Sequence, residues 1–495
     1  MNRFIKIKSG AILGIASFLL PIVAGAEQPD SLRYEGEVRA TFSGGSHTPF
    51  WLVNNLQGLG SPEKNNGFVR GALFKDLNEE NRFTWGAGVD LVGAWNAQSP
   101  FYIHQLYGEI KYRSLQGLLG SKEIWGEFTN HRLSSGDLLY SGNALPVPQL
   151  RLGIFDYADV WGCKGWFSVK GYFAYGMFTD SKWQKSKAGI EGNRTENVLY
   201  HSKGLWLRGG NTDKFPLRGE LGIEMATQFG GKAFVDGEWY HMSHGIKEWL
   251  KAFFPKYSHS TFAGEDNRSV EGNMMGAYNI ALAWRPKADW SIRAYYEHFF
   301  EDESQMTFEY GWKDGLYGIE VQLPENRFVS NFVYEFLHTK DQTGGVLWNA
   351  TPEVPEQVSG RDDYYNHYLY NCWQHWGMGI GNPLVISPVF NTNGMLHFLN
   401  NRIIGHHFGL EGNPTDELNY RLLLSFTRSW GSYDYQAPDV LNNFNGLLEV
   451  TWTPNKFRGW FGKVGVAGDT GKLLGKSFGV LLSIGKTGDF SLKRR

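Results

Sequence analysis

The chain has 495 residues and a formal net charge of -2, with 48 Lys and Arg against 50 Asp and Glu. No basic stripe is present to neutralise phosphates, so a nucleic-acid partner is not expected. Aromatic residues make up 16% and glycines number 62, a balance suited to pleated strands and interfacial ring girdles.

The chain opens on an export signal. Arg3, Lys6 and Lys8 supply positive charge, residues 12–23 an apolar run, and Ala24-Gly25-Ala26 a small-residue cleavage motif. Pro21 interrupts the run, which is short of the roughly 20 apolar residues a spanning helix needs. Residues 1–26 are expected to be a signal peptide, leaving 27–495 as the mature protein. No later segment reaches the roughly 18 uninterrupted apolar residues of a helical span.

Beyond the signal the chain runs in period-2 alternation, which sends successive side chains to opposite faces of a strand. The first strand is read at 32–43, with Tyr34, Val38, Ala40 and Phe42 outward and Arg33, Glu35, Glu37, Arg39 and Thr41 inward. Further strands are expected at 67–76, 82–95, 101–113, 118–128, 148–155, 165–179, 199–209 and 215–229. A clear pair spans 276–300. There Tyr278, Ile280, Leu282 and Trp284, and then Trp290, Ile292, Ala294 and Tyr296, form the apolar face on either side of Pro286-Lys287-Ala288-Asp289. The remainder are expected at 316–323, 327–338, 401–411, 418–430, 446–453, 460–468 and 476–486. The fold class is therefore all-β: an antiparallel transmembrane outer-membrane β-barrel of about 18 strands, an even number as in single-chain bacterial barrels.

The connections agree. Links at 78–81, 286–289, 324–327, 413–417 and 454–459 are short and made of turn residues, as periplasmic turns should be. Those at 180–198, 230–273, 301–315, 339–400 and 431–445 are longer and are read as extracellular. Inward charges of both signs recur, including Glu109, Lys111 and Arg113, Arg218, Glu220 and Glu224, and Arg293 and Glu297. A selective pore would use such charges, but the balance of signs favours ion pairs bracing a wet lumen. Cys163 and Cys372 fall on opposite sides of the membrane in this topology, so no bridge between them is expected. His406 and His407 are adjacent in a strand and point to opposite faces, and no Cys/His spacing suggests a metal. No cofactor is expected.

Function should sit in the long loops. Segment 339–400 is rich in rings and holds Gly360-Arg361-Asp362-Asp363-Tyr364-Tyr365-Asn366-His367-Tyr368. Aromatic faces beside directional polar groups suit a sugar. Asp362, Tyr364, Tyr365, Tyr368, Trp373 and Trp376 are the candidate contacts. A packed cap plugging the barrel mouth is the competing reading, and the two are compatible. In 230–273, Ser243 is placed to cap a short helix carrying Ile246, Trp249, Leu250 and Phe253 on one face, ending at Pro255 and packing on the rim. No G-x-S-x-G elbow is present. Acidic tips such as Glu301-Asp302-Glu303 do not by themselves make a hydrolase, so no enzyme activity is expected.

Several strings carry a family resemblance. They are Ser134-Ser135-Gly136, Ser141-Gly142-Asn143-Ala144 and Pro146-Val147-Pro148-Gln149; Leu199-Tyr200-His201-Ser202-Lys203; Glu224-Met225-Ala226-Thr227-Gln228-Phe229-Gly230-Gly231; His298-Phe299-Phe300-Glu301-Asp302; Asp362-Asp363-Tyr364-Tyr365-Asn366; and Ile380-Gly381-Asn382-Pro383. In order and coverage the chain resembles the Wzi capsule-assembly family in its Bacteroidetes-type form. The resemblance implies an 18-stranded outer-membrane barrel that binds capsular polysaccharide and helps attach the capsule, lectin-like rather than catalytic. The family's enterobacterial branch has a periplasmic helical bundle near its N-terminus; here the first strand is read only a few residues after the expected cleavage site, so that bundle is expected to be absent or displaced. The expected partners are capsular polysaccharide, outer-membrane lipid and, during biogenesis, the barrel-assembly machinery, with the protein a monomer. The alternative function is a porin-like diffusion channel.

Overall fold

The computed structural model describes residues 31–190, 192–254, 272–287, 289–301, 303–308, 311–348, 352, 358–370 and 372–491. The expected signal peptide lies outside them.

Eighteen antiparallel strands close into one barrel. The first six are β1 Ser31–Gly45, β2 Asn66–Lys75, β3 Phe83–Trp95, β4 Phe101–Tyr112, β5 Leu115–Ser121 and β6 Gln149–Asp159. Next come β7 Phe167–Met177, β8 Leu199–Gly209, β9 Leu217–Phe229, β10 Asn273–Lys287, β11 Trp290–Phe300 and β12 Gly315–Gln322. The last six are β13 Asn331–His338, β14 Ile403–Thr415, β15 Leu418–Gly431, β16 Gln436–Trp452, β17 Trp460–Gly471 and β18 Ser477–Ser491. Each strand pairs with its sequence neighbours, and β1 pairs with β18 from Ser31↔Ser491 to Gly45↔Ser477. Closure removes the free edges that would otherwise leave backbone groups unpaired in lipid.

Alternation places the apolar face outward, as read from the sequence. Val38, Phe42, Ile280, Leu282, Trp284 and Ile484 are exposed on the outer wall, while Thr41, Asp90 and Asn279 are buried inside. His407 points inward to Ser425 (2.8 Å), and His406 outward to the Tyr334 hydroxyl (3.0 Å). The lumenal charges pair: Arg39 with Glu37 (3.0 Å), Lys122 with Glu109 (2.7 Å), Arg208 with Glu220 (2.9 Å) and Arg421 with Glu449 (3.1 Å). Cys163 lies in a turn at the periplasmic end and Cys372 in an outer loop, both as free thiols.

Two expected strands are corrected. The fifth runs over Leu115–Ser121 rather than 118–128. Segment 122–128 does alternate, but it has left the wall and lies within the lumen. Its carboxylates meet lumenal cations: Glu123 reaches Arg70 (3.0 Å), and Glu127 reaches Arg151 (2.9 Å) and Lys170 (2.7 Å). The sixteenth strand starts at Gln436, not 446, so the expected long loop 431–445 is a tight turn closed by Gly431↔Gln436. Its polar start Gln436-Ala437-Pro438-Asp439 conceals the strand, because there the hairpin has risen past the apolar belt.

Candidate functional site

Three extracellular loops fold back into the barrel and fill its outer part. Loop 46–65 enters through a single 3-10 turn, Phe50–Leu52, whose side chains are buried together with Val53. The Phe50 N–H donates to Asp469 on β17 (2.8 Å) and the Trp51 indole to Ser425 on β15 (3.2 Å). Loop 122–148 descends further. Its Leu133 carbonyl meets the His407 ring (2.8 Å), and Arg132 pairs with Glu411 (2.8 Å) near the periplasmic end of β14.

Two inward carboxylates hold this loop. Glu335 on β13 accepts from Ser134 Oγ (2.5 Å), Ser135 N (2.7 Å), Ser135 Oγ (2.6 Å) and the Tyr295 hydroxyl (2.6 Å). Glu297 on β11 accepts from the backbone N–H of Leu138 (2.7 Å). A buried carboxylate is tolerated when several donors converge on it, and here the loop backbone and hydroxyls supply them.

Loop 339–402 closes the plug from above. The Trp373 indole donates to Leu139 O (2.7 Å), Ser141 Oγ to Gly381 O (2.7 Å), and Asn143 Nδ2 to Gly379 O (3.0 Å). Asn382 Nδ2 donates to Ser135 Oγ (3.0 Å) and to Gly136 O. A Cβ on Gly381 would lie 2.2 Å from Leu138 O, so only glycine permits this approach. Three strings distant in sequence thus meet at one place: Ser134-Ser135-Gly136, Ser141-Gly142-Asn143 and Ile380-Gly381-Asn382. Plug and wall share one continuous apolar core, from Leu52 and Leu133 through Tyr364, Tyr365 and Trp373 to Leu447 and Leu481.

The six expected sugar contacts part company here. Tyr364, Tyr365 and Trp373 are 1%, 2% and 0% exposed. The Tyr364 hydroxyl accepts from Gln305 Nε2 (2.8 Å), and that of Tyr365 donates to Leu138 O. These three are core of the plug and present no ring face to a glycan; burying large rings stabilises the plug. Asp362 is half-buried, its N–H donating to Gln342 O (3.1 Å). Trp376 is half-buried against Tyr102 with rings 5.9 Å apart. Tyr368 is 61% exposed at the mouth.

Tyr368 has a neighbour that the sequence reading missed. A short outer sheet joins Arg194–Glu196, Lys232–Val235 and Glu238–His241. On it, the Tyr240 hydroxyl donates to Glu238 (3.5 Å) and stands beside the Tyr368 side chain. Asp236-Gly237, with φ of 50° and 87°, forms the hairpin turn. An Asp-Gly pair between short apolar runs is a hairpin signal that was legible in the sequence. The opposite face of the sheet carries Trp239 beneath the Lys232 ammonium (4.1 Å). Another exposed ring, Tyr435, lies beside His397. In the same outer loop, burial holds the Asp363 carboxyl up at about 6 and pushes the His367 imidazole down to about 4.

Among the described residues two groups have the spacing of metal ligands, Asp90 with His104 and Glu123, and Asp314 with His338 and Asp341. In the first, the Arg70 guanidinium touches Asp90 (2.6 Å) and Glu123 (3.0 Å) and supplies the positive charge. In the second, Asp314 already accepts from His338 (2.6 Å) and the Gln342 N–H (2.6 Å). The second is accounted for by these bonds, whereas in the first Asp90 Oδ1 and His104 Nδ1 are buried without a hydrogen-bond partner among the described residues.

The fold defines a bacterial outer-membrane β-barrel whose loops pack into its outer part. Among solved structures the chain is similar to Wzi of Escherichia coli, an outer-membrane protein of group 1 capsule assembly described as a carbohydrate-binding β-barrel. The TM-score is 0.56 at 12% identity, covering 97% of this chain and 88% of that one. It also matches OccAB2 of Acinetobacter baumannii (TM-score 0.48, 9% identity, 93% and 98% covered) and OccD3 of Pseudomonas aeruginosa (0.46, 10%, 95% and 96%). At these identities the likeness is one of fold. No family model and no curated protein sequence matches the chain.

Proposed function

We propose that this protein is a non-enzymatic surface anchor of the Wzi capsule-assembly kind, binding capsular polysaccharide at its extracellular mouth and helping to attach the capsule. The observation that carries the reading is the plug in the outer part of the lumen: loops 46–65, 122–148 and 339–402 share their core with the wall. A barrel so occupied offers a fixed outer surface rather than a passage. On that surface the neighbouring Tyr240 and Tyr368 present adjacent rings and hydroxyls, the chemistry that covers sugar C–H faces and orients hydroxyls. The fold likeness to a carbohydrate-binding barrel supports the same reading.

The test is glycan binding by detergent-folded protein, using capsule from the same organism. Tyr240→Ala with Tyr368→Ala should weaken binding about tenfold or more, equivalent to about 1.4 kcal/mol, with thermal unfolding unchanged. Unaltered affinity in the double variant would remove these residues from the site. The competing diffusion-channel reading is decided in planar bilayers, where a large steady conductance from the intact protein would overturn the anchor.

A further inference from the structure

The helix Ile246–Phe253 lies on the outside of the barrel. The residues it packs against belong to the lipid-facing set of β7 and β8. Phe253 meets Phe173 (6.0 Å) and His201 (5.1 Å), Trp249 meets Tyr175 (4.7 Å), and the Tyr175 hydroxyl donates to Trp249 O (2.9 Å). Lys203 Nζ, also outward, donates to Phe253 O. The helix therefore covers polar groups, His201 and Lys203, that sit just beyond the exposed belt residues Leu205 and Leu207. Phe308 does the same further round the wall, stacked on the outward-facing His298 of β11 at 4.3 Å.

At 100° per residue, Trp249, Ala252 and Phe253 form the face against the barrel. Ile246, Leu250 and Phe254 form a second, adjoining stripe, and these are 76%, 58% and 62% exposed. Lys247 and Lys251 lie alongside that stripe and are also exposed. An apolar stripe bordered by lysines, continuous with the lipid belt and set at its extracellular edge, has the layout of an interfacial helix.

We propose that this collar helix seats in the outer leaflet of the membrane. Ile246, Leu250 and Phe254 enter the acyl boundary, while Lys247 and Lys251 meet the phosphates of an anionic glycolipid headgroup. The helix would then fix the height of the barrel mouth relative to the lipid.

The test uses the full chain with Cys163→Ser and Leu250→Cys, carrying a polarity-sensitive fluorophore; Cys372 is buried and stays unlabelled. The protein is reconstituted in phosphatidylcholine vesicles, with or without added lipid A. The label at 250 should be quenched by acyl-chain nitroxides and shielded several-fold from aqueous iodide, relative to the same label at the exposed position Ser243→Cys. Lys247→Glu with Lys251→Glu should weaken the nitroxide quenching more when lipid A is present. Equal iodide quenching at 250 and 243 would overturn the proposal. So would shielding that rises with protein-to-lipid ratio, which would seat a second copy there. A charge reversal that acts equally in both compositions would overturn the headgroup contact.

Discussion

Glu335 shows how much one side chain can organise. It sits on a strand, yet its four donors come from two chain segments, loop 122–148 and Tyr295. Glu335→Gln turns one acceptor into a donor facing other donors. It should cost about 1.5–3 kcal/mol, seen as faster amide hydrogen exchange across 133–139 with the barrel strands unchanged. Tyr364, Tyr365 and Trp373 teach a related point. Their composition suggests a sugar site, but replacing them by Ala should loosen the plug rather than remove a ligand contact. For Trp373→Ala the expected loss is about 3–5 kcal/mol, read as proteolytic cutting of loop 339–402 in folded protein. The outer loop also carries two opposed titrations. His367, lowered to about 4, contributes stability that is complete above its unfolded value near 6.5 and lost as pH falls towards 4. Asp363, raised to about 6, contributes stability that is present below about 3.8 and lost as pH rises through 6. Asp363→Asn removes the second effect. In that variant, hydrogen exchange within 364–373, corrected for intrinsic rate, should accelerate as pH drops from about 6.5 to 4.

At the level of elements, strands were legible where lipid lies on one side and water on the other. The pair β10 and β11 is of this kind, and its alternation agrees with the outer wall residue by residue. The reading slipped where that rule is satisfied by other surroundings. Residues 122–128 alternate because one side meets Arg70, Arg151 and Lys170 inside the lumen, and no periodicity distinguishes a lumenal cation from bulk water. The start of β16 was missed for the opposite reason: Gln436-Ala437-Pro438-Asp439 lies past the apolar belt, with no lipid to demand apolar residues on its outer side. The collar helix begins at Ile246 after Gly245 rather than being capped by Ser243, and only Trp249, Ala252 and Phe253 of its apolar set pack on the wall.

For the whole molecule, the belt of exposed apolar side chains is the feature on which insertion depends. Leu282 on β10 is 53% exposed within that belt. Leu282→Arg should lower folding stability in vesicles by about 2–4 kcal/mol if the site lies near the bilayer midplane, measured by urea titration. Membrane position and barrel closure were written in the sequence, because each strand meets lipid through its own alternating residues. The mouth was not. Which rings are buried in the plug depends on loops 46–65, 122–148 and 339–402 meeting inside a cylinder, and Tyr240 stands beside Tyr368 because the outer sheet after β9 meets the last of these loops. Burial there is set by partners hundreds of residues apart, and only the tertiary structure could decide it.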